Sequence, residues 1–534
     1  MDKTKDAHIT SEPQPNSDLL LGVDIGTQGV KGVLVTAFGK RVARAQLEHG
    51  CLYPRPGWCE QDMTQNWWLN PVAVIRALLQ TGQVHPGQIR AVGVSGLFPA
   101  FGPTDAKGTP LSGAILYSDN RSVAEAEQLN AALGLFLTTE ELIPKLIWFL
   151  RNEPDLACKM KMFFDAPHYL VYQLCGAYVT DTILPGLYGA IYHSPTASWR
   201  REICDRLQIP MGILPAVHPP AQIVGTVHPE AARQTGLIPG TPVLTGMPDL
   251  VASLIGAGTV RTSESVAYYG TAGLVPLMKQ DLIKAVWHPF PQEERGKVPL
   301  DGYLFSRPAY SLTVGDGVRW FRDQFAPFEM DAERGGGPNA YRQLDQLAAS
   351  VPPGSDGLVL LPHFQGQSSP DFDPWATGVY FGLKNTHSRA ALFRALLESF
   401  GYTIRHGLEA NFPKGHPLQR LVATGGGARS PLWRQIVSDI TGIYQEYIPD
   451  TDEALGSAYL AGMALGWFVD FDTLQKEWVR VEAVTEPDPE AQEIYNRYYP
   501  IYVELHNALR PLFQLHHQAQ VRGGDQYGKY RQLR

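Results

Sequence analysis

Apolar runs flank the stretch Asp24-Ile25-Gly26-Thr27-Gln28-Gly29-Val30-Lys31 near the start of the chain. A third apolar run follows Phe38-Gly39-Lys40, so residues 19–47 are predicted to form three strands joined by two turns. Glycines in the first turn would let backbone N–H groups approach phosphate oxygens without a side chain in the way. The Thr27 hydroxyl can donate to phosphate, and Asp24 can hold a hydrated Mg²⁺. A hairpin turn with an Asx cap would explain the same residues without a ligand.

A second glycine-rich segment follows the predicted strand Leu421–Thr424 and precedes a helix predicted to begin at Pro431. A glycine turn between a strand and a helix brings the backbone and the positive end of the helix dipole close to a bound anion or nucleotide. The segment is neither a Rossmann fingerprint nor a Walker A loop, because the spacing GxGxxG is absent and no GK[ST] follows. A plain connection is the alternative, at the entropic cost of three consecutive glycines. The candidate nucleotide contacts are Gly425, Gly426, Gly427, Ala428, Arg429 and Ser430.

A lone carboxylate, Asp249, ends the segment Gly246-Met247-Pro248-Asp249, which follows the predicted strand Pro242–Thr245. A carboxylate at a cleft can accept the proton of an attacking hydroxyl group, an effect of roughly 10² to 10⁴ in rate. A simple Pro-Asp turn would give the same sequence. The position of Asp249 between the Gly/Thr turns at 26–27 and 270–271 favours a role as general base.

The chain has 534 residues, too many for one compact core of ordinary size, so two large domains are predicted. The small-residue run Gly256-Ala257-Gly258 indicates a boundary near it. After it, a predicted strand at Ser263–Tyr269 ends in Gly270-Thr271 and is followed by the apolar run Leu274–Met278, which repeats the plan of residues 19–35. The expected architecture is α/β, with two related domains that face each other across a nucleotide cleft.

The predicted division has four parts: a flexible tail at residues 1–18, a first domain at 19–255, a second domain at 256–515 and a polar tail at 516–534. A late surface helix is the alternative for the C-terminal tail. Helices are predicted at Arg121–Leu133, Pro144–Arg151, Ser388–Glu409, Pro431–Thr441 and Glu453–Leu465.

Composition excludes several classes of protein. Hydrophobic residues make up 44% of the chain, charged residues 18%, and the net charge is -8, a balance that gives no basic surface for nucleic acid. The longest apolar runs fall far short of the roughly 20 residues needed to span a bilayer. The N-terminal residues lack the apolar core of a secretory signal, which favours a cytoplasmic protein. The five cysteines form no CxxC pair, so reduced thiols are expected.

Taken together, these motifs resemble those of the FGGY family of carbohydrate kinases, over residues 19–515. The resemblance implies two ribonuclease-H-like domains, of the actin and Hsp70 ATPase type, flanking a central catalytic cleft. It also implies ATP-dependent phosphorylation of a hydroxyl group of a small sugar or polyol, with Mg²⁺ as the metal. The matching stretches are residues 24–31, Glu60-Gln61-Asp62, Trp67-Trp68, Asp119-Asn120-Arg121, Lys145-Leu146-Ile147-Trp148, Asp249, Tyr269-Gly270-Thr271, 378–383 and 425–442.

The resemblance also implies roles for individual residues. Asp24 would serve the metal, and Asp249 would be the general base beside the substrate. The loop that ends at Ser430 resembles the one beside the adenosine. The residues on the phosphate side would be Gly26, Thr27, Gln28 and Lys31, with Gly270 and Thr271 as a second phosphate loop.

Asp119 and Arg121 fall where the family holds the sugar. A carboxylate and a guanidinium supply the acceptor and the donors that vicinal hydroxyl groups need. A surface helix cap with its own ion pair would explain both residues without a ligand.

Within the family, the xylulose kinases are the most similar at Lys31 and at Glu60–Asp62, so a ketopentose such as xylulose is the expected acceptor. The acceptor side departs from the usual pattern: Ser95-Gly96-Leu97-Phe98 replaces a Met-His stretch, Tyr117 replaces a tryptophan, and Gln367-Ser368 replaces Glu-Arg. Ribulose, erythritol and glycerol are therefore alternatives. The small substrate is the expected partner, and a homodimer is left open.

A binding module is the rival interpretation, because the same fold can serve as an ATP-dependent clamp or a catalytically silent sugar sensor. The presence of Asp249 argues against it. The pair His516-His517 lacks a second spaced pair, so no metal site is predicted there. Trp148 and Trp320-Phe321 are predicted core residues, and Gln292–Lys297 is predicted to be a solvated loop.

Overall fold

The computed structural model describes residues 18–135, 137–193, 196–278, 281–287, 305–311, 313–371, 373–449 and 451–527. The predicted N-terminal tail, except Asp18, and the predicted loop Gln292–Lys297 lie outside the described residues. None of the helices that the structure describes is long and apolar enough to cross a membrane.

The elements are numbered in chain order. The strands before residue 260 are β1 (Leu19–Ile25), β2 (Gly29–Thr36), β3 (Arg41–Glu48), β4 (Glu60–Gln61), β5 (Ile89–Gly96), β6 (Gly102–Thr104), β7 (Ala114–Ile115), β8 (Met162–Phe164), β9 (Val179–Asp181), β10 (Tyr192–His193), β11 (Ser198–Trp199), β12 (Ala216–His218), β13 (Ile223–Thr226), β14 (Pro242–Leu244) and β15 (Met247–Pro248). The later strands are β16 (Glu264–Tyr269), β17 (Gly273–Met278), β18 (Phe305–Ser311), β19 (Val359–Leu361), β20 (Val379–Phe381), β21 (Arg420–Thr424), β22 (Tyr444–Tyr447) and β23 (Ala483–Thr485).

The helices follow the same numbering. They are α1 (Asn70–Thr81), α2 (Val123–Leu133), α3 (Leu142–Asn152), α4 (Pro154–Ala157), α5 (Ala166–Cys175), α6 (Arg201–Arg206), α7 (Pro229–Thr235), α8 (Asp249–Gly256), α9 (Leu282–Trp287), α10 (Val314–Phe325), α11 (Pro327–Arg334), α12 (Ala340–Ala349), α13 (Arg389–Asn411), α14 (Pro431–Thr441), α15 (Glu453–Ala464) and α16 (Pro489–Tyr527).

The chain divides into two compact units, and neither is one continuous segment. The predicted boundary near residue 256 lies close to Val260, where the first segment of the first unit ends, and α15 also packs within that unit. The first unit combines the described residues of Met1–Val260, Lys279–Leu304 and Thr451–Arg480. The second combines those of Arg261–Met278, Phe305–Asp450 and Val481–Arg534.

In the first unit, the main sheet has the strand order β13-β14-β5-β1-β2-β3, and β15 also pairs with β5. The antiparallel pairing of β1, β2 and β3 confirms the predicted three-stranded meander, whereas β1 and β5 pair parallel. Every residue of β1 is buried. The reason is that α15 packs against the face of the sheet that carries Gly22, and α1 packs against the opposite face at Gly32.

Two glycines let α15 approach this sheet closely. A Cβ atom on Gly22 of β1 would lie 1.8 Å from the carbonyl oxygen of Ala454, and one on Gly93 of β5 would lie 1.9 Å from that of Ser457. Both oxygens belong to α15, so a side chain at either glycine would force the helix away from the sheet. The start of α15 is therefore held next to β1.

In the second unit, the main sheet has the strand order β18-β17-β16-β21-β22-β23. The strands β16, β21 and β22 pair parallel, and β17 pairs antiparallel with both β16 and β18. The core includes Tyr269, whose ring lies 5.1 Å from the ring centroids of both Phe400 and Trp433. Each main sheet thus pairs three successive strands antiparallel and pairs the first of them parallel with a later strand.

Several predicted boundaries differ from the structure. α2 begins at Val123 rather than Arg121, because the backbone and side chain of Arg121 bind the Asp119 carboxylate in the turn before the helix. α3 begins at Leu142, so Pro144 lies within its first turn instead of starting the helix.

The predicted polar C-terminal tail is helical as far as the structure describes it. The helix α16 continues past His517 to Tyr527, so the surface-helix alternative describes these residues. The ring of His517 stacks on Trp375 with 3.5 Å between the ring centroids. Of the aromatic pair predicted as core, Phe321 is buried but Trp320 is 39% exposed, so that prediction was wrong for Trp320.

Candidate active site

Strand register brings the predicted catalytic residues of the first unit together. Asp24 in β1 lies opposite Lys31 in β2 and opposite Ser95 in β5. The strand β15 pairs parallel with β5, with Met247 opposite Ser95, and Asp249 follows directly. Three parallel strands therefore end side by side, and the carboxyl ends of parallel strands are where α/β sheets bind ligands.

Asp24 is buried at the end of β1, with only 2% of its surface exposed. The Ser95 hydroxyl donates a hydrogen bond of 2.8 Å to its Oδ1 atom. Burial raises the pKa of Asp24 well above its usual value, and the nearby carboxylates of Glu453 and Asp249 raise it further, whereas Lys31 lowers it. Asp24 is therefore a carboxyl group for which a nearby cation would be strongly favourable.

Asp249 is the first residue of α8. Burial, followed by the negative charge of Glu453, raises the pKa of Asp249 to about 7. The backbone N–H of Leu250 and the ammonium group of Lys31 act in the opposite direction. A carboxyl group that titrates near neutral pH suits a general base, because the ideal pKa of such a group lies near the working pH.

Lys31 is held by a carboxylate that comes from much later in the sequence. Its Nζ atom donates to Oε2 of Glu453 over 2.7 Å, and the neighbouring pair Arg44–Asp452 is separated by 3.3 Å. Burial alone would lower the pKa of Lys31, but Glu453 and Asp24 raise it above its usual value. Lys31 is therefore charged and paired, with a third of its side chain exposed.

From the sequence, neither Ser95 nor Glu453 was predicted to take part in the site. Ser95 was marked only as part of a stretch that departs from the family's usual acceptor-side pattern, because its contact with Asp24 depends on the register of β5 against β1. A weak signal marks Glu453. It follows Asp452, whose side chain accepts from the backbone N–H of Leu455 as the N-cap of α15, and acidic residues favour the first turn of a helix.

The turn between β1 and β2 is held by a hydrogen bond within it and by one from Gln61. The Gly26 N–H donates to the carbonyl of Gly29 over 2.8 Å, and Nε2 of Gln61 donates to the carbonyl of Thr27 over 3.0 Å. Gln61 is oriented in turn by Nε1 of Trp67, which donates to its Oε1 atom over 2.7 Å. These bonds give a physical reason for Gln61 and Trp67 within the matching stretches. Within the turn, Gln28 is exposed.

These residues fit a hydrated Mg²⁺. The described residues contain no cluster of three or more His, Cys, Asp or Glu side chains that could enclose a metal ion. Mg²⁺ does not need one, because it is usually held by one or two carboxylates together with waters and substrate phosphates. A Cβ atom on Gly26 would stand 3.9 Å from Oδ2 of Asp24, so this turn passes next to that oxygen.

Asp119 and Arg121 form a buried ion pair within the first unit. The Asp119 oxygens accept from the backbone N–H of Cys59 and Arg121 and from Nε and Nη2 of Arg121, over 2.6 to 2.9 Å. A carboxylate has about four acceptor positions, so none is left for a sugar hydroxyl. Because Asp119 is fully buried, the pair is not a surface cap either.

Aromatic rings enclose the Arg121 side chain. Its guanidinium lies 3.6 Å from the ring centroid of Trp58 and 5.0 Å from that of Trp148, and Nη2 also donates to Glu60 over 2.7 Å. Trp148 is half-buried and touches the edge of Trp58, so its prediction as a simple core residue overlooked this contact. Lys145, on the same helix, is buried, and burial lowers its pKa to about 8.

In the second unit, two glycine loops follow adjacent parallel strands. Tyr268 in β16 lies opposite Thr424 in β21, so the turn Gly270-Thr271 and the loop that begins at Gly425 lie next to each other. A Cβ atom on Gly425 would lie 2.8 Å from the carbonyl oxygen of Tyr269, and its φ of +93° requires glycine. The N–H of Gly315, at the start of α10, donates to the carbonyl of Gly270 over 2.8 Å.

The loop from Gly425 to Ser430 leads directly into α14. Ser430 is the N-cap, and its Oγ atom accepts from the N–H of Trp433 over 3.0 Å. Within the loop, Ala428 is buried and Arg429 is exposed, while a Cβ atom on Gly426 would meet nothing within 4 Å. Gly426 therefore borders open space.

Asp345 on α12 also lies against this loop, although nothing in the sequence marked it. Its carboxyl group accepts from Ser430, and burial raises its pKa to about 6.

The sequence matches the FGGY family of carbohydrate kinases in two parts, the N-terminal domain at residues 19–256 and the C-terminal domain at residues 266–465. The chain belongs to this family. It is therefore a phosphotransferase that acts on a sugar hydroxyl group, with the two-domain fold of the actin and Hsp70 ATPase type. FGGY kinases use ATP as the phosphate donor.

Named relatives of this FGGY kinase act on different acceptors. The xylulose kinase of Staphylococcus epidermidis is 25% identical over 508 residues, which cover 93% of this chain and 98% of the relative. The gluconokinase of Bacillus licheniformis is 27% identical over 508 residues, which cover 92% and 96%. Among solved structures, the xylulose kinase from Rhodospirillum rubrum is 30% identical with a TM-score of 0.81, covering 93% of this chain and 100% of that chain. Plasmodium falciparum glycerol kinase with ADP shares the fold, at a TM-score of 0.76 and 18% identity, covering 91% and 98%.

The buried ion pair of this FGGY kinase predicts a large effect on stability. Asp119→Ala should lower the free energy of unfolding by about 3–5 kcal/mol, because it leaves a buried guanidinium with only part of its partner charge. Urea unfolding would measure the loss. Glu230→Ala is the control, because it breaks an exposed pair with Arg233 and should change stability by no more than about 1 kcal/mol. A loss of under about 1 kcal/mol in Asp119→Ala would contradict the structural role.

Proposed function

We propose that this protein transfers the terminal phosphate of MgATP to a hydroxyl group of a small sugar or polyol, with a ketopentose such as xylulose as the first choice. The observation that carries the proposal is the grouping of Asp24, Ser95 and Asp249 at the ends of three parallel strands. Burial and neighbouring charge raise the pKa of Asp249 to about 7, which suits a group that must accept a proton from a hydroxyl.

Asp249 acts as the general base in this proposal. It accepts the proton of the attacking hydroxyl group as the oxygen bonds to the terminal phosphorus of ATP and the bond from that phosphorus to ADP breaks, so the substrate does not have to ionise beforehand. Asp24, oriented by Ser95, would hold a hydrated Mg²⁺, which when bound supplies positive charge to the phosphate oxygens. Thr27 and Lys31 provide a hydroxyl donor and an ammonium group for the same phosphates.

The glycine loops of the second unit would contact the nucleotide. Gly270-Thr271 and the loop from Gly425 to Ser430 follow the carboxyl ends of adjacent parallel strands, and the latter loop opens a helix at its positive end. Open space at Gly426 lets the backbone approach a ligand there.

Small polyhydroxy acceptors are favoured by the relatives, which are named xylulose kinase and gluconokinase. On the acceptor side, Asp119 and Arg121 would act by holding Glu60 and the Trp58 ring in place, because the Asp119 carboxylate is fully occupied. Ribulose, erythritol and glycerol are alternative acceptors. A catalytically silent ATP or sugar sensor is disfavoured, because it has no use for a carboxyl group with the raised pKa of Asp249.

The role of the general base gives the most direct prediction. Asp249→Asn should lower kcat by at least about 10²-fold, because an amide keeps the shape but cannot accept the proton. ATP binding, measured by calorimetry, should be unchanged. The matched control is Asp155→Asn, which removes an exposed carboxylate and should leave kcat intact. Turnover within about threefold of the wild type would remove Asp249 from the mechanism.

The nucleotide loop gives a second prediction. Gly426→Val should raise the KM for ATP about tenfold or more while changing the KM for the sugar little, since the branched side chain would fill the space into which a ligand fits. The thermal midpoint should be unchanged, because a Cβ atom at this position meets no protein atom within 4 Å. Gly212→Val, at another open glycine, is the control. An unchanged KM for ATP in a folded Gly426→Val variant would show that this loop does not contact the nucleotide.

A further inference from the structure

The ion pair between Lys31 and Glu453 has a function beyond stabilising the fold. Lys31 faces the Asp24 carboxyl group across β1 and β2, yet its hydrogen bond goes to Glu453, at 2.7 Å. We propose that Glu453 makes the site select the metal-bound form of the nucleotide, by holding the phosphate-binding Lys31 in an ion pair. This inference rests on the proposed function, in which Lys31 contacts the phosphates of ATP.

Both ends of the pair are fixed by the fold. The backbone of Lys31 is set by the register of β2 against β1, and Glu453 is the first residue of α15. That helix is held against β1 and β5 by close contacts at Gly22 and Gly93, and its N-cap Asp452 is itself paired with Arg44. Because both backbones are fixed, only the two side chains lose freedom when the pair forms.

The balance of charge in this part of the unit is negative. The carboxyl groups of Asp24, Asp249 and Glu453 interact with one another, and Lys31 is the cation that offsets them among the described residues. A bare nucleotide triphosphate adds several negative charges to this group. Like charges at such distances are strongly unfavourable in a partly buried site, so a bare nucleotide is repelled.

Phosphate must also compete with Glu453 for the ammonium group. The side chains of Lys31 and Glu453 are 34% and 19% exposed, so a ligand can reach the pair. When a phosphate oxygen takes Lys31, Glu453 is left as an uncompensated and largely buried carboxylate, which is costly. A nucleotide that carries a divalent cation supplies the compensating charge, and a bare nucleotide does not. Glu453 therefore penalises the bare form selectively.

The test measures nucleotide binding without sugar, by calorimetry, for ATP with EDTA and for MgATP. Glu453→Gln should bind bare ATP about tenfold more tightly than the wild type, while its affinity for MgATP changes by less than about threefold. Glu453→Ala removes the same charge without an amide and should show the same selective gain. Glu230→Gln removes an exposed carboxylate elsewhere in the unit and should change neither affinity.

A double variant tests whether Glu453 acts through Lys31. In a Lys31→Met background, Glu453→Gln should improve the binding of bare ATP clearly less than it does beside Lys31, because only the direct repulsion by Glu453 is then removed and there is no cation to release. A gain in this background as large as the gain beside Lys31 would overturn the role of the ion pair.

The remaining outcomes distinguish a failure of this inference from a failure of the proposed function. If the wild type binds MgATP and the two Glu453 variants show either no gain for bare ATP or equal changes for both forms, the inference is wrong and the proposed function stands. If the wild type binds neither form of the nucleotide, the proposed function fails, and this inference fails with it.

Discussion

The parallel pairing of β5 with both β1 and β15 is the constraint on which the candidate active site depends. It sets Ser95 between Asp24 and Met247, so that Asp249, 225 positions after Asp24 in the sequence, helps to raise the pKa of Asp24. Each of the three strand ends supplies one polar group, and no single one of these groups would indicate an active site. Together they form a site that can bind a cation and accept a proton.

This grouping of carboxyl groups is electrostatically unfavourable in isolation. Burial raises the pKa of Asp24 and of Asp249, and the charge of Glu453 adds to both effects. The fold tolerates the arrangement because Lys31 offsets part of the charge and because α15 is held against the sheet at Gly22. Perturbed carboxyl groups of this kind are common at functional sites, where a ligand completes the balance of charge.

Local sequence patterns predicted the elements that carry the site. The hairpin around Gly26, the glycine loop before α14 and the strand before Gly270 all formed where the alternation of apolar residues and glycines indicated them. These motifs are contiguous in the chain, and turns and caps are decided by neighbouring residues. The family resemblance was likewise confirmed, because it rested on several such motifs spread along the chain.

Contacts between distant segments were harder to predict. Nothing in the local sequence shows that Glu453 would reach Lys31, or that Asp119 would use all of its acceptor positions on Cys59 and Arg121. Such contacts depend on which strands pair and in what register. A shift of the register by one residue would turn every side chain of the strand to the opposite face of the sheet. The same reason explains why α15 belongs to the unit built on β1, although it lies near the C-terminus.

Sugar-dependent consumption of ATP is the decisive measurement for the proposed phosphate transfer. Release of ADP and formation of a phosphorylated sugar would be followed with MgATP and a panel of xylulose, ribulose, erythritol, glycerol and deoxy analogues. We predict that ADP and a phosphate monoester appear together in equal amounts, and that one small polyol, with a ketopentose as the first choice, is clearly preferred over analogues that lack one hydroxyl group. ATP consumption that no member of the panel stimulates, or ADP release without a phosphorylated sugar, would contradict it.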